Sequence, residues 1–159
     1  DEEENPKFIT KHYVPFMFKD AGTNEMLDYA KGLVFGIEDN LYAGYKGNQT
    51  SFETAFNTLD ITSVVDYWLI QELMMNCEMQ HPKSVYMYIN DGKLYAGPIW
   101  DFDWGFGYES TRSYCESGAK GDVLNTSMSH EAGYRFFTNI RNAFNTLIFN
   151  HISDLFDHF

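Results

Sequence analysis

Cysteine is scarce in this chain: Cys77 and Cys115 are the two found among 159 residues. Two thiols cannot form a disulfide scaffold, and neither a CxxC nor a Cys/His spacing prepares a zinc site, although one bridge between them stays open. Basic residues are also few, 11 Lys and Arg against 23 Asp and Glu, for a net charge of −12. A nucleic-acid backbone is repelled by such a surface, so no nucleic-acid partner is expected. A nucleotide is still admissible, because a divalent cation can bridge carboxylates and phosphates. No stretch approaches eighteen uninterrupted apolar residues, so no membrane span is expected in this segment. The opening Asp1-Glu2-Glu3-Glu4 has none of the character of a signal peptide. His12, His81, His130, His151 and His158 form no HExxH pattern, and GxSxG, Walker A and GxGxxG signatures are absent.

What the chain has in excess is aromatic surface: 14 Phe, 11 Tyr and 3 Trp, within a composition that is 44% hydrophobic. That is the material of a packed globule rather than of a disordered tail. Residues 13–18 are β-prone, with Pro15 restricting them to an edge strand. Residues 19–22 turn the chain. From 24 to about 42, Met26, Leu27, Tyr29, Ala30, Leu33, Val34, Ile37 and Leu41 recur at helical spacing, with Thr23 or Asn24 as cap and Gly44 as terminator. Thr50 and Glu53 read as a capping box for a short helix through Phe52, Ala55 and Phe56. Asp60 or Thr62 opens a third helix to about residue 76, its buried face being Val64, Val65, Trp68, Leu69 and Leu73. Two strand-like runs, 84–90 and 93–99, flank Asn90-Asp91-Gly92, a strong hairpin signal. Residues 109–125 read as a long loop, and helix is expected again from about 129. The fold class is therefore α+β, mainly helical with one hairpin.

The chemistry-bearing run is Trp100-Asp101-Phe102-Asp103-Trp104-Gly105-Phe106-Gly107. On an extended backbone, residues i and i+2 share a side, so Asp101 and Asp103 can reach one hard cation such as Mg²⁺. The same pair also describes a surface turn. A second cluster, Glu72 and Asn76, is expected one helical turn apart at the end of the third helix, and the hairpin returns Asp101 to that end. A carboxylate beside metal-binding Asp residues is what phosphoryl transfer requires. Taken alone, Glu72 and Asn76 equally suit the satisfaction of a helix terminus. Trp68 belongs to the core, whereas Trp100 and Trp104 suit either a nucleotide pocket or a carbohydrate platform. Lys7, Lys11 and Lys19 read as solvated surface charge.

The segments Asp66-Tyr67-Trp68-Leu69-Ile70-Gln71-Glu72-Leu73, Asn76-Cys77-Glu78, Lys83-Ser84-Val85-Tyr86-Met87-Tyr88, Asp91-Gly92-Lys93-Leu94 and Gly97-Pro98-Ile99-Trp100-Asp101-Phe102-Asp103 together resemble the CotH (spore coat protein H) kinase family. The detailed likeness covers residues 60–107. The resemblance implies a kinase-like fold that transfers phosphate from Mg-ATP (or Mn-ATP) to Ser/Thr of secreted or surface proteins. It implies Glu78 as the catalytic carboxylate, where the family carries Asp, and Asp101 as a metal ligand with Asp103 beside it. Ser84 falls where an Asn often assists the metal, and Asn76, Glu72 and Trp100 are candidates for the cofactor side of the site. It implies further that residues 1–159 are a single partial domain, the C-terminal lobe, whose phosphate-cradling N-terminal lobe lies elsewhere in the protein; the segment alone is expected to be inactive. Expected partners are a protein substrate or surface partner and that missing lobe. A non-catalytic surface module and a carbohydrate-associated domain are the alternatives.

Overall fold

The computed structural model describes residues 5–20, 22–74, 76, 85–103 and 105, with Glu72 described by its backbone alone. Among them the order is β1 (Lys7–Ile9), β2 (Pro15–Met17), α1 (Asn24–Tyr45), α2 (Gln49–Thr58), α3 (Ile61–Leu73), β3 (Met87–Asn90) and β4 (Lys93–Ala96). Strands β1 and β2 pair antiparallel, and so do β3 and β4, as two separate two-stranded sheets. The α+β expectation holds for the described residues. The loop expected at 109–125, the helix expected from 129, and Cys77 and Cys115 lie outside them.

Helix α1 forms because Ala30, Val34, Ile37 and Leu41 recur every three or four residues and are all buried. Thr23 caps it, its side chain accepting from the Met26 N–H at 3.3 Å. Its end differs from the expectation. Gly44 lies inside the helix, and Gly47, at φ +100°, takes the left-handed position. The Asn48 N–H bonds the Ala43 carbonyl and the Gly47 N–H bonds that of Gly44, the paired closure of a Schellman motif. Asn48 is at once the N-cap of α2, accepting from the Ser51 N–H at 3.1 Å. The Thr50–Glu53 capping box is therefore not formed: the tight turn at Gly47 places the cap two residues earlier, and Glu53 accepts from Gln49 Nε2 instead.

Two contacts fix α3 against the second hairpin. Asp60 Oδ1 accepts from the Ser63 N–H at 2.8 Å, capping the helix, while the Asp60 N–H bonds the Leu94 carbonyl. Ser63 Oγ then accepts from the Ala96 N–H at 3.1 Å. Strand β4 thus starts beside the first turn of α3, and Leu94 and Ala96 enter the core with Leu59, Val64, Val65 and Tyr67. The helix stops at Leu73, short of residue 76, and Leu73 is 72% exposed rather than part of the apolar face. The residues that bury are Val64 and Val65, as expected, with Tyr67 and Gln71, while Trp68 and Leu69 are partly buried at the margin.

The β3–β4 turn is as expected. Asp91 and Gly92 both have positive φ, 47° and 76°, as a two-residue hairpin of primed type requires. At the other end, β2 begins with Pro15 opposite Ile9, so its missing donor sits at a strand end. The β1–β2 connection is held to α1 by a buried carboxylate. Thr10 Oγ1 donates to Glu38 Oε1 at 2.7 Å and accepts from the Val14 N–H at 3.0 Å.

Candidate functional site

Geometry brings Asp101 and Gly105 to the far end of α3. From residue 61 to 73 the helix rises roughly 18 Å at 1.5 Å per residue. Strand β4 ends at Ala96, short of the expected residue 99, because Gly97 turns the chain at φ +128°. Contacts show where the following residues lie. Asn76 Nδ2 donates to the Asp101 carbonyl at 3.4 Å, and a Cβ on Gly105 would stand 3.0 Å from the Met74 carbonyl. Glycine at 105 is what lets this loop lie against the helix end.

Asn76 is the tie between the two segments. Its N–H bonds the Gln71 carbonyl at 3.1 Å, a span of five residues that folds the chain back under the last turn of α3. Its side-chain amide donates to Gln71 Oε1 at 2.8 Å as well as to the Asp101 carbonyl. Both side chains are deeply buried, Gln71 at 1% and Asn76 at 3% exposure. Buried amides of this kind are costly unless paired, and here they pair with each other and with the main chain of Asp101.

The Asp101 backbone has φ +64°, a left-handed conformation uncommon outside glycine. Such a residue persists where its surroundings over-determine it. Its side chain is half-buried, whereas Asp103 is exposed. The extended geometry expected for the D-x-D run is not what the chain adopts. The left-handed residue at 101 is followed by a turn in which the Gly105 N–H bonds the Phe102 carbonyl at 2.9 Å. Asp101 and Asp103 therefore do not share a side through strand alternation, and any common ligand depends on the turn.

Trp100 is 58% exposed, its ring edge-on to Tyr86 with centroids 6.4 Å apart. Lys19 lies over the other aromatic of this pair, Nζ 6.0 Å from the Tyr86 centroid, so one lysine expected as plain surface charge stands near the site. Because α3 ends at Leu73, Glu72 and Asn76 are not one turn apart on a common helix face. Glu78, Ser84 and Trp104 lie outside the described residues, as does the side chain of Glu72. Gln71 was not among the expected residues. The signal was available: a polar residue seven positions after Val64, in the buried register of α3.

Among the described residues no three His, Cys, Asp or Glu side chains cluster as metal ligands. The carboxylates of Asp101 and Asp103 nevertheless fit Mg²⁺, which takes one or two protein carboxylates and fills its remaining positions with water and phosphate oxygens. No helix of the described residues is long and apolar enough to cross a membrane. No curated protein and no solved structure matches the chain. A family model described as CotH kinase protein matches residues 9–156, nearly the whole chain, and the chain belongs to the CotH kinase protein family.

Proposed function

We propose that this chain forms the catalytic-carboxylate and metal-binding part of a CotH-type protein kinase. The reaction is transfer of the γ-phosphoryl group of Mg-ATP to a Ser or Thr hydroxyl of a secreted or surface protein. The observation that carries this reading is the tie from Asn76 to the main chain of Asp101, which holds a half-buried, left-handed aspartate beside the end of α3. Glu78 follows Asn76 by two residues in the sequence, which supports assigning it the catalytic carboxylate's role.

In this reading the Glu78 carboxylate orients the acceptor hydroxyl and takes its proton as the hydroxyl oxygen bonds to the γ-phosphorus. The bond from that phosphorus to the β-bridging oxygen breaks, and the electron pair leaves with ADP. Asp101 and Asp103 would hold Mg²⁺, which when bound would supply neutralisation of charge on the phosphate oxygens. Asn76 keeps the Asp101 backbone from relaxing to a commoner φ. Trp100, exposed and edge-packed on Tyr86, offers a face for the nucleotide base.

The test is a thermal-shift and phosphotransfer measurement on the full-length protein. Mg-ATP is expected to raise the melting temperature of the wild type and not of Asp101→Asn. Transfer of labelled phosphate to a Ser/Thr protein acceptor should fall on the order of 10³-fold in that variant, the equivalent of several kcal/mol of lost charge stabilisation. Equal stabilisation of both proteins by Mg-ATP would refute the reading. The exposure of Trp100 favours a second reading, a carbohydrate-associated surface module. That module would respond to glycans and be indifferent to Asp101→Asn.

A further inference from the structure

We infer that Gln71 is a positioning residue that sets divalent-cation affinity at Asp101 by acting through Asn76; the inference rests on the phosphotransfer reading of that aspartate. The Asp101 carbonyl is an acceptor only, so the group 3.4 Å away on Asn76 must be its NH₂. That same NH₂ lies 2.8 Å from the Gln71 side chain, which must therefore present its carbonyl oxygen, Oε1. The Asn76 amide thus donates to both the Gln71 side chain and the Asp101 main chain. The Gln71 main-chain carbonyl accepts the Asn76 N–H as well. Gln71 holds Asn76 at two points, and Asn76 passes that constraint to the Asp101 backbone.

The burial of the pair makes the arrangement rigid. With Gln71 at 1% and Asn76 at 3% exposure, no water is at hand to replace a lost acceptor. An Asn76 side chain deprived of Gln71 Oε1 loses its shorter side-chain bond and with it part of its fixed orientation. Its bond to the Asp101 carbonyl, the longer of the two, is the one that gives way. The Asp101 backbone at φ +64° is then less firmly held, and its carboxylate would be less well placed for a cation. Interactions one layer behind a metal ligand typically govern about 10–100-fold in metal affinity.

The experiment uses the full-length protein and Mn²⁺ alone as probe, read by water-proton relaxation. Gln71→Met keeps the volume and removes the acceptor, and Gln71→Glu keeps an acceptor at the same reach. Gln71→Met should weaken Mn²⁺ binding about tenfold, and Gln71→Glu should recover most of that loss. In an Asn76→Ala background, Gln71→Met should cost nothing further, because the path through Asn76 is already cut. A purely structural role would lower the folded fraction, seen as a reduced number of binding sites at unchanged affinity, and that result overturns the inference. Wild-type affinity in Gln71→Met, while Asp101→Asn still abolishes binding, overturns the inference and leaves the phosphotransfer reading intact. Absence of Asp101-dependent Mn²⁺ binding in the wild type overturns both.

Discussion

Replacing Gly44 by alanine sets two opposed effects against each other, and the geometry decides the winner. Alanine is favoured over glycine in a helix interior by about 1 kcal/mol, and Gly44 is the penultimate residue of α1, where that gain is smaller. Against it, a Cβ at this position would stand 2.7 Å from Phe52 Cβ, 2.8 Å from Phe52 Cδ2 and 3.1 Å from Phe52 Cα. Carbon atoms pack at roughly 3.5–4.0 Å, so relief requires a shift approaching 1 Å. Rotating the Phe52 ring does not provide it, since Cα and Cβ belong to α2 itself, and the ring is buried edge-on against Phe56. The helices must separate. Overpacking of this kind typically costs about 1–3 kcal/mol, so a net loss of about 1–2 kcal/mol is expected. Gly32 and Gly36 supply the controls within the same helix, because a Cβ at either meets nothing within 4 Å. Their alanine variants should gain about 0.5–1 kcal/mol each. Urea unfolding followed by far-ultraviolet circular dichroism compares the three variants directly. Gly44→Ala as stable as Gly36→Ala would refute the close-packing account of the α1–α2 corner.

Two further outcomes are expected. Burial raises the Glu38 carboxyl above its ordinary value, opposed by its hydrogen bond from Thr10 and by His12, whose charge and main-chain N–H both favour the carboxylate, with Asp39 adding to the rise. The folded state therefore holds the proton more tightly than the unfolded one, so this group's stabilising contribution is complete at low pH and lost as pH rises through the raised value. Glu38→Gln keeps an acceptor for Thr10 Oγ1 and should flatten that part of the stability–pH curve; identical slopes for the two proteins above about pH 4.5 would contradict it. Gly105→Ala pushes a methyl to 3.0 Å from two main-chain carbonyls, those of Met74 and Phe102. The loop should lift from the end of α3 and Mn²⁺ affinity should fall about tenfold, an expectation that unchanged binding would sink.

Local signals located most elements, and the misses share one cause. The hairpin at Asp91-Gly92 and the α1 face at Ala30, Val34, Ile37 and Leu41 were legible because turn chemistry and periodicity act within a few residues. Gly44 misled because glycine near a helix end has two explanations, a left-handed terminator or a close contact. The choice depends on Phe52, which sequence reading had placed in another element without a distance. Thr50 and Glu53 carried the right residue types for a capping box, but the closure at Gly47 had already committed Asn48. Strand β1 escaped notice because three residues are too few to show alternation, and the strand is defined by its partner across Thr10. Glu38 was hidden for a similar reason. A glutamate at a buried helical position reads as surface until the threonine that bonds it is known.

The candidate site was legible to a different depth at each layer. That Asp101 lies toward the open end of the hairpin follows from the Asp91-Gly92 turn, but its meeting with the end of α3 is seen only in the contacts, because β4 stops at Ala96 and Gly97 turns the chain at φ +128°. How Asp101 is presented does not follow. Strand alternation would have aimed Asp101 and Asp103 to one side, yet the left-handed backbone at 101 breaks that alternation. The cost of such a conformation is about 1–3 kcal/mol for a residue with a side chain, which no local signal in Trp100-Asp101-Phe102 offsets. The compensation comes from residues 71 and 76, distant in sequence and brought into place by the closure of α3. A strained aspartate held by a buried amide pair is an arrangement that only tertiary structure can reveal. It also explains why the pair is polar at all: two apolar side chains at 71 and 76 would fill the same space, but they would leave the Asp101 carbonyl without the donor that keeps it turned.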